Sequence, residues 1–535
     1  MNMAESIGYW QATEMDVVCF SPQEIQKALG EFRHQVYVIR HPSTKAIGCA
    51  IGQGVWVNSS TNAYEVLGVL PPIFPEWLGS RGFTHRHNIR FPYASGAMAN
   101  GIATTDLVIA MSNMGGLGFF GAAGLSWEKV SSAIDVLQTT LGTQGWGINL
   151  IHSPHEPELE QAIAEMYIKR RVPRVSAAAY MKLSPYIVRY ALTGLRNHQG
   201  TIVRENQVFA KISRPETAEQ FMSPAPASMV QYLLQKGWIT EEEAKLAQYV
   251  SVAENITVEA DSGGHTDNQA LSVLFPVITQ LRNQLVRQYR LSRDIYLGAA
   301  GGIGDPLSAS AAFAMGADFI LTGSINQSCV EAGIDAKAKK LLAQVQMGDV
   351  IMAPAADMFE MGVEVQVLKR GSMFGVRAKK LYEWYKKYAS LWEIEGKDKQ
   401  ELEQSILRAS VEQSWEDTKK YWMQRDDREI VKAEQDAKHQ MALVFRSYLG
   451  LASRWAIQGN ADRVLDYQIW CGPAMASFNR WVKGSFLEYP ENRRADQVAR
   501  NILEGACQVT RAQQLRNYGV AIPMDALHVT PMLLQ

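Results

Sequence analysis

Apolar residues recur along this chain in three different rhythms, and each rhythm predicts a different kind of structure. Between residues 86 and 375, short apolar runs alternate with helix-like stretches. The runs lie at 91–98, 116–121, 146–151, 174–178, 208–212, 256–260, 294–299 and 319–322. A run apolar on both faces suits a parallel strand covered by helices, not a half-solvated one. Eight such units predict an α/β fold, a (β/α)8 TIM barrel, and no GxGxxG opens the first unit as an open dinucleotide-binding sheet would require. The gap between the fifth and sixth runs is too long for one loop. Ser223-Pro-Ala-Pro-Ala227 leads there into helical patterns at 229–236 and 240–249. A helical lid insertion at about 215–252, lying over the C-terminal face of the strands, is the expectation.

The flanks read differently. Residues 1–85 mix strand-like runs (36–40, 46–51, 53–57) with turn residues and close on an apolar, proline-rich stretch at 67–78. They predict a small N-terminal α+β cap. From 376 to 535 apolar positions fall three and four apart, at 376–392, 399–422 and 425–449, which predicts a helical C-terminal region. Seven of the 13 tryptophans lie there. On helical stripes they are read as packing and given no chemistry.

Composition narrows the function. The 535 residues carry a formal net charge of −1, so the basic footprint of a nucleic-acid binder is missing. No apolar run reaches the roughly 18–20 residues of a membrane span. The N-terminus lacks a signal-peptide pattern, and the five cysteines are scattered without metal-ligand spacing. A soluble, cytoplasmic protein is expected.

The candidate chemistry sits at strand ends. Gly301-Gly302 and Gly323-Ser324 close the last two runs, 21 residues apart. Bare backbone and a hydroxyl at consecutive strand ends suit a phosphate grip, with ordinary turns as the plain alternative. Gly263-Gly264-His265 ends the preceding run, so His265 is expected to project into the barrel mouth as a flavin contact or proton donor. Asp261 and Asp267 flank it and are expected to raise its pKa. Asn149 closes the third run, as a turn starter or a ring-contacting amide. Lys211 closes the fifth, as a surface cation or a partner for negative charge on a flavin. Ala97 and Met98, after the first run, offer small or soft atoms to a flat ring, or plain core packing.

The order of these motifs resembles the nitronate monooxygenase-like flavoproteins. They are Gly96-Ala-Met-Ala99, Gly115-Gly-Leu-Gly-Phe119, Gly147-Ile-Asn-Leu150, Gly263-Gly-His265, Ala300-Gly-Gly-Ile303 and Gly323-Ser324. The flanks at 67–77, 223–249, 363–371 and 470–479 resemble the PfaD family, trans-acting enoyl reductases of polyunsaturated fatty acid and trans-acyltransferase polyketide synthases. The resemblance implies that FMN is held by Ala97, Met98, Asn149, Lys211, Gly263, Gly264, Gly301, Gly302, Gly323 and Ser324. It implies His265 beside the substrate, NADPH or NADH as reductant, and acyl carrier protein domains as partners. Two departures stand out: Asp261-Ser262 and Asp267 replace the superfamily's usual Glu-Ala and Gly, and Val258 replaces a glutamine. The rivals are a nitronate-type monooxygenase, a reaction through Cys329, and a non-catalytic docking subunit of a megasynthase. The exposed side of the C-terminal helices leaves a homodimer open.

Overall fold

The structure, a computed structural model, describes residues 5–58, 61–154 and 156–534. Eight parallel strands close into a barrel: Tyr93–Ser95, Leu117–Phe120, Trp146–Ile151, Arg174–Ala178, Gln207–Ile212, Asn255–Glu259, Tyr296–Ala300 and Phe319–Thr322. The last strand closes the ring on the first, with Ala94 opposite Leu321. The expected TIM barrel is therefore present, strand for strand. The first strand is shorter than expected and stops at Ser95. Gly96 makes a last ladder bond to Thr322 O (2.8 Å), and the chain then turns away. Residues 97 and 98 consequently stand above the strand, at the barrel mouth.

Inside the barrel, an aromatic floor supports that mouth. Helix Arg81–His87 plugs the N-terminal end. Its Phe83 ring stacks on Phe319 at 4.4 Å and meets Phe209 edge-on. His87 Nε2 lies 2.8 Å from Asn255 Oδ1, and Arg174 donates to the His87 carbonyl (3.0 Å). Burial, then the charge of Arg174, holds the His87 pKa far below the ordinary value, so the plug carries a neutral imidazole.

The insertion is not a lid. Strand five is followed at once by helix Pro215–Met222, so the extra chain comes after that helix, in the connection leading to strand six. Such connections lie at the N-terminal ends of barrel strands. Hydrogen bonds from Val252 N–H to Ser223 O and from Ala253 N–H to Phe221 O tie its two ends together there. Its helices Ala227–Gln235 and Glu241–Leu246 pack on the flank of helix Pro185–Leu192, where Arg189 lies over Trp238 (4.6 Å). They also reach the hairpin Arg196–Val203, through the bond from Asn197 N–H to Glu242 Oε1 (3.2 Å).

Other parts of the chain cover the C-terminal face. Gly264–His265 pairs antiparallel with Glu364–Leu368, which pairs in turn with Val350–Pro354. Beyond this small sheet, helix Phe374–Lys387 opens a helical body with its own core, including Leu381, Leu402 and Leu443. The chain returns to the sheet at Ile469 and Trp470. Leu368 N–H donates to Ile469 O (2.8 Å), and Val367 bridges Trp470. At the other end of the molecule, a six-stranded antiparallel sheet from residues 8–70 packs through Cys19, Val38 and Cys49 on Ala512 and Leu515 of the long helix Ala495–Asn517.

Candidate functional site

The barrel mouth is built in layers. Side chains two apart on a strand share a face. Phe209 lies in the inner core, so Lys211 also faces inward; Asn255 bonds the plug helix, so Thr257 and Glu259 line the interior above it. Lys211 Nζ and Glu259 Oε1 form an ion pair at 2.8 Å, with side chains 20% and 15% exposed. Ser262 Oγ donates to the same carboxylate oxygen (3.0 Å). Just below, the Thr257 hydroxyl is buried and has no hydrogen-bond partner among the described residues. Across the mouth, buried Asn149 accepts from Ala122 N–H through Oδ1 (2.7 Å). Its amide oxygen thus shapes the loop after strand two, and its amide nitrogen makes no hydrogen bond among the described residues. Ala97 is half-buried against the inner core. The Met98 carbonyl packs so closely on Gly121 that a Cβ there would sit 1.7 Å away.

The Gly-Gly turn follows strand seven. Gly301 and Gly302 have φ of +83° and +71°, a left-handed pair that glycine adopts without strain. A Cβ on Gly301 would also fall 2.7 Å from the Ala260 carbonyl carbon. Helix Pro306–Ala314 starts directly after, capped by Asp305, whose carboxylate accepts from Ser308 N–H (3.0 Å). Gly323 and Ser324 open the turn after strand eight. Among the described residues, nothing lies within 4 Å of the Cβ position of Gly302 or Gly323. The N–H groups of Gly302, Ile303, Gly323 and Ser324 find no acceptor among the described residues. Free donors around open space at a helix start fit an anion.

Sequence reading missed how much of this site comes from the far end of the chain. The Ser324 hydroxyl accepts from Gly472 N–H (3.1 Å), which leaves its own proton to donate. A Cβ on Gly263 would lie 2.8 Å from Cys471 N, and one on Gly472 would lie 2.7 Å from Gly263 N. Two glycines therefore let the Trp470–Gly472 backbone lie against the Gly-Gly-His turn. Gln327 Nε2 adds a bond to Trp470 O (2.8 Å).

His265 does not hang from the end of strand six. It belongs to the small covering sheet, paired with Val365, and its side chain is 42% exposed. Gly264, at φ +87°, makes the turn that puts it there. Neither flanking aspartate acts on it. Asp261 accepts from Gln366 Nε2 (2.6 Å) and Asn268 Nδ2 (3.2 Å), while Asp267 takes Arg214 in a two-pronged pair (2.9 and 2.7 Å). The partner of His265 is Asp357, with Oδ1 3.4 Å from Nε2. Burial pulls the imidazolium pKa down. The Asp357 carboxylate facing the ring, with help from Glu259, outweighs that, and the pKa stands above the ordinary histidine value. Cys329 offers no nucleophile: it is fully buried, burial drives its thiol pKa up, and its Sγ faces Ile325 O.

Residues 82–387, more than half of the chain, match the nitronate monooxygenase family. The chain belongs to that family. In this nitronate monooxygenase-family chain the residues present suit the flavin that membership implies: unpaired N–H donors and open glycines would take a phosphate, and small residues, the Thr257 hydroxyl, Lys211 and Asn149 would be available to a ring. Residues 388–467 match a second family, the inserted helical domain of [acyl-carrier-protein] S-malonyltransferase.

Named relatives point to one kind of assembly. A polyunsaturated fatty acid synthase polypeptide of Thraustochytrium sp. is 45% identical over 451 residues, 82% of this chain and 30% of that protein. The polyketide biosynthesis protein PksE of Bacillus subtilis is 44% identical over 446 residues, 83% of this chain and 58% of that protein. The chain thus spans between about a third and somewhat over half of these relatives. The enoyl reductase domain of MlnA, from the macrolactin biosynthesis cluster of Bacillus amyloliquefaciens, superposes with a TM-score of 0.79 at 35% identity. That match covers 83% of this chain and 99% of the domain. Among the described residues no helix is long and apolar enough to cross a membrane.

Proposed function

We propose that this chain is an FMN-dependent enoyl reductase that reduces the α,β double bond of 2-enoyl thioesters borne by an acyl carrier protein in polyketide or polyunsaturated fatty acid synthesis. The observation that carries the reading is the 35% identity and common fold over nearly the whole length of a solved enoyl reductase domain. FMN, when bound and reduced by NADPH or NADH, supplies the hydride. The chain's own residues do the rest. The Gly302 and Ser324 turns anchor the phosphate. Lys211, oriented by Glu259, would offer a cation to the negative charge that accumulates on a reduced flavin ring. Asn149 fixes the opposite wall, and the segments 350–368 and 470–472 cover the mouth and exclude water. Hydride on the β-carbon leaves an enolate thioester, and His265, whose pKa stands above the ordinary histidine value, gives its α-carbon a proton.

The test is turnover of a 2-enoyl thioester on a carrier protein with NADPH, with the wild-type chain and with His265→Gln. The variant should keep its FMN absorbance and lose about 10²–10⁴-fold in kcat, the usual worth of a positioned general acid. Unchanged turnover would remove His265 from the mechanism. A second reading, oxidation of a nitronate by O2, is favoured by the name of the matching family. Flavin reduction by a nitronate but not by NADPH would select it.

A further inference from the structure

We infer that Asp357, held in place by Arg446 of the helical body, is a positioning residue that keeps His265 oriented and charged as a proton donor. The inference rests on the enoyl-reductase reading of His265 and adds to it a link from Arg446 of the helical body, 181 residues downstream in the chain, to the reacting end of the site.

Three sets of contacts carry it. The His265 backbone is fixed by its ladder with Val365, so the ring has a defined place above the mouth. One ring nitrogen, Nε2, faces Asp357 Oδ1 at 3.4 Å, while Nδ1 makes no hydrogen bond among the described residues. An imidazolium with one N–H turned to a carboxylate and the other free is arranged to donate the free one. Asp357 itself stands on a loop that cannot drift. Arg446, on helix Ala437–Gln458, donates through Nε to the carbonyl of the adjacent Ala356 (2.9 Å) and pairs through Nη1 with Glu360 (3.1 Å). Between those two points, Phe359 is fully buried, with its ring against Tyr385 (5.2 Å) and Phe445 (6.1 Å). Shifting the Asp357 backbone would mean pulling that ring out of the helical body, while the Asp357 side chain stays 60% exposed.

The charges around the pair agree. His265 is faced by Asp357 from the loop, Glu259 from strand six and, opposing them, Lys211 from strand five. Asp357 is faced by His265 and Arg446, and Arg446 is largely neutralised by Glu360. In the chemical step the C=C π pair becomes the enolate pair after hydride has reached the β-carbon. The Nδ1–H bond breaks, a C–H bond forms at the α-carbon, and the ring is left neutral. Its exposed side chain takes a proton back from water.

Hydrogen–deuterium exchange at the histidine ring carbon, followed by mass spectrometry on the peptide carrying His265, reads its pKa without turnover. It would be done on the FMN-loaded full chain as wild type, Asp357→Asn and Arg446→Gln, beside pH profiles of enoyl reduction. Asp357→Asn should move the His265 pKa, and the alkaline limb of kcat, to lower pH with flavin absorbance retained. Arg446→Gln separates positioning from simple charge. Loss of a nearby cation alone would raise the His265 pKa, whereas loss of the anchor on Asp357 lowers it, and a fall is expected. An unchanged His265 pKa in Asp357→Asn, or a rise in Arg446→Gln, overturns the inference. A limb that survives His265→Asn, with the exchange shifts as expected, would instead overturn the role of His265 in the reaction.

Discussion

Glu259 and Lys211 show how a residue's meaning depends on its partner. Removing one leaves the other's charge three-quarters or more buried and uncompensated, which costs about 1–3 kcal/mol or more. Lys211→Met should therefore lower stability by about 2 kcal/mol and weaken flavin binding, and adding Glu259→Gln should restore stability but not binding. Urea unfolding and a flavin-fluorescence titration separate the two effects; recovery of both in the double variant would contradict the cofactor role. The phosphate turns predict more simply. Gly302→Val puts a side chain where φ is +71° and into space now open to a ligand. With Ser324→Ala it should weaken FMN binding about 10–100-fold, the worth of one or two charge-assisted hydrogen bonds, and the branched side chain at positive φ should also cost the apoprotein about 1–3 kcal/mol. Glycines and the serine were legible in the sequence because the requirement is local: bare backbone at a strand end. The partner of His265 was not. Asp261 and Asp267 stood nearest in sequence, but an antiparallel ladder brought Asp357, 92 residues on, to the imidazole and gave both flanking carboxylates to other donors.

At the scale of elements, the eight strands could be read because parallel strands covered on both faces are apolar throughout. The insertion was misplaced for an equally physical reason. Its length is visible in sequence, but its end of the barrel depends on whether it precedes or follows the helix after strand five, and Pro215–Met222 comes first. Replacing residues 224–251 by a short linker should thus lower thermal stability, through loss of buried Leu233 and the Trp238 contact, and leave KM for the enoyl thioester unchanged. A large rise in KM would return the insertion to the mouth. The plug helix predicts a loss of stability as well, from inside the barrel. Phe83→Ala empties the aromatic floor under the site and should cost about 3–5 kcal/mol in urea unfolding.

For the whole molecule, the site is closed by two stretches that flank the helical body, 350–368 before it and 470–472 after it, hydrogen-bonded to each other and to the turns of the barrel. A barrel cut after residue 387 would keep every candidate site residue read from the sequence, yet lose the Gly472 bond to Ser324, the packing against Gly263 and the Arg446 anchor. Such a truncation should purify without flavin, and so should one cut after 467; flavin retained in the shorter chain would show that the barrel alone holds it, and in the longer that residues 470–472 are not needed. In the Thraustochytrium synthase polypeptide and in PksE, the stretch that matches this chain lies within a longer protein.

The central claim is that the barrel mouth holds a flavin reduced by a nicotinamide and reoxidised by an enoyl thioester. An anaerobic absorbance spectrum of the FMN-loaded chain tests it most directly, first with NADPH and then with a 2-enoyl group on a carrier protein. The account predicts flavin bands that bleach with NADPH and return on adding the thioester, with one saturated product per flavin. A flavin untouched by NADPH, or bleached and not restored by any enoyl thioester, would contradict it.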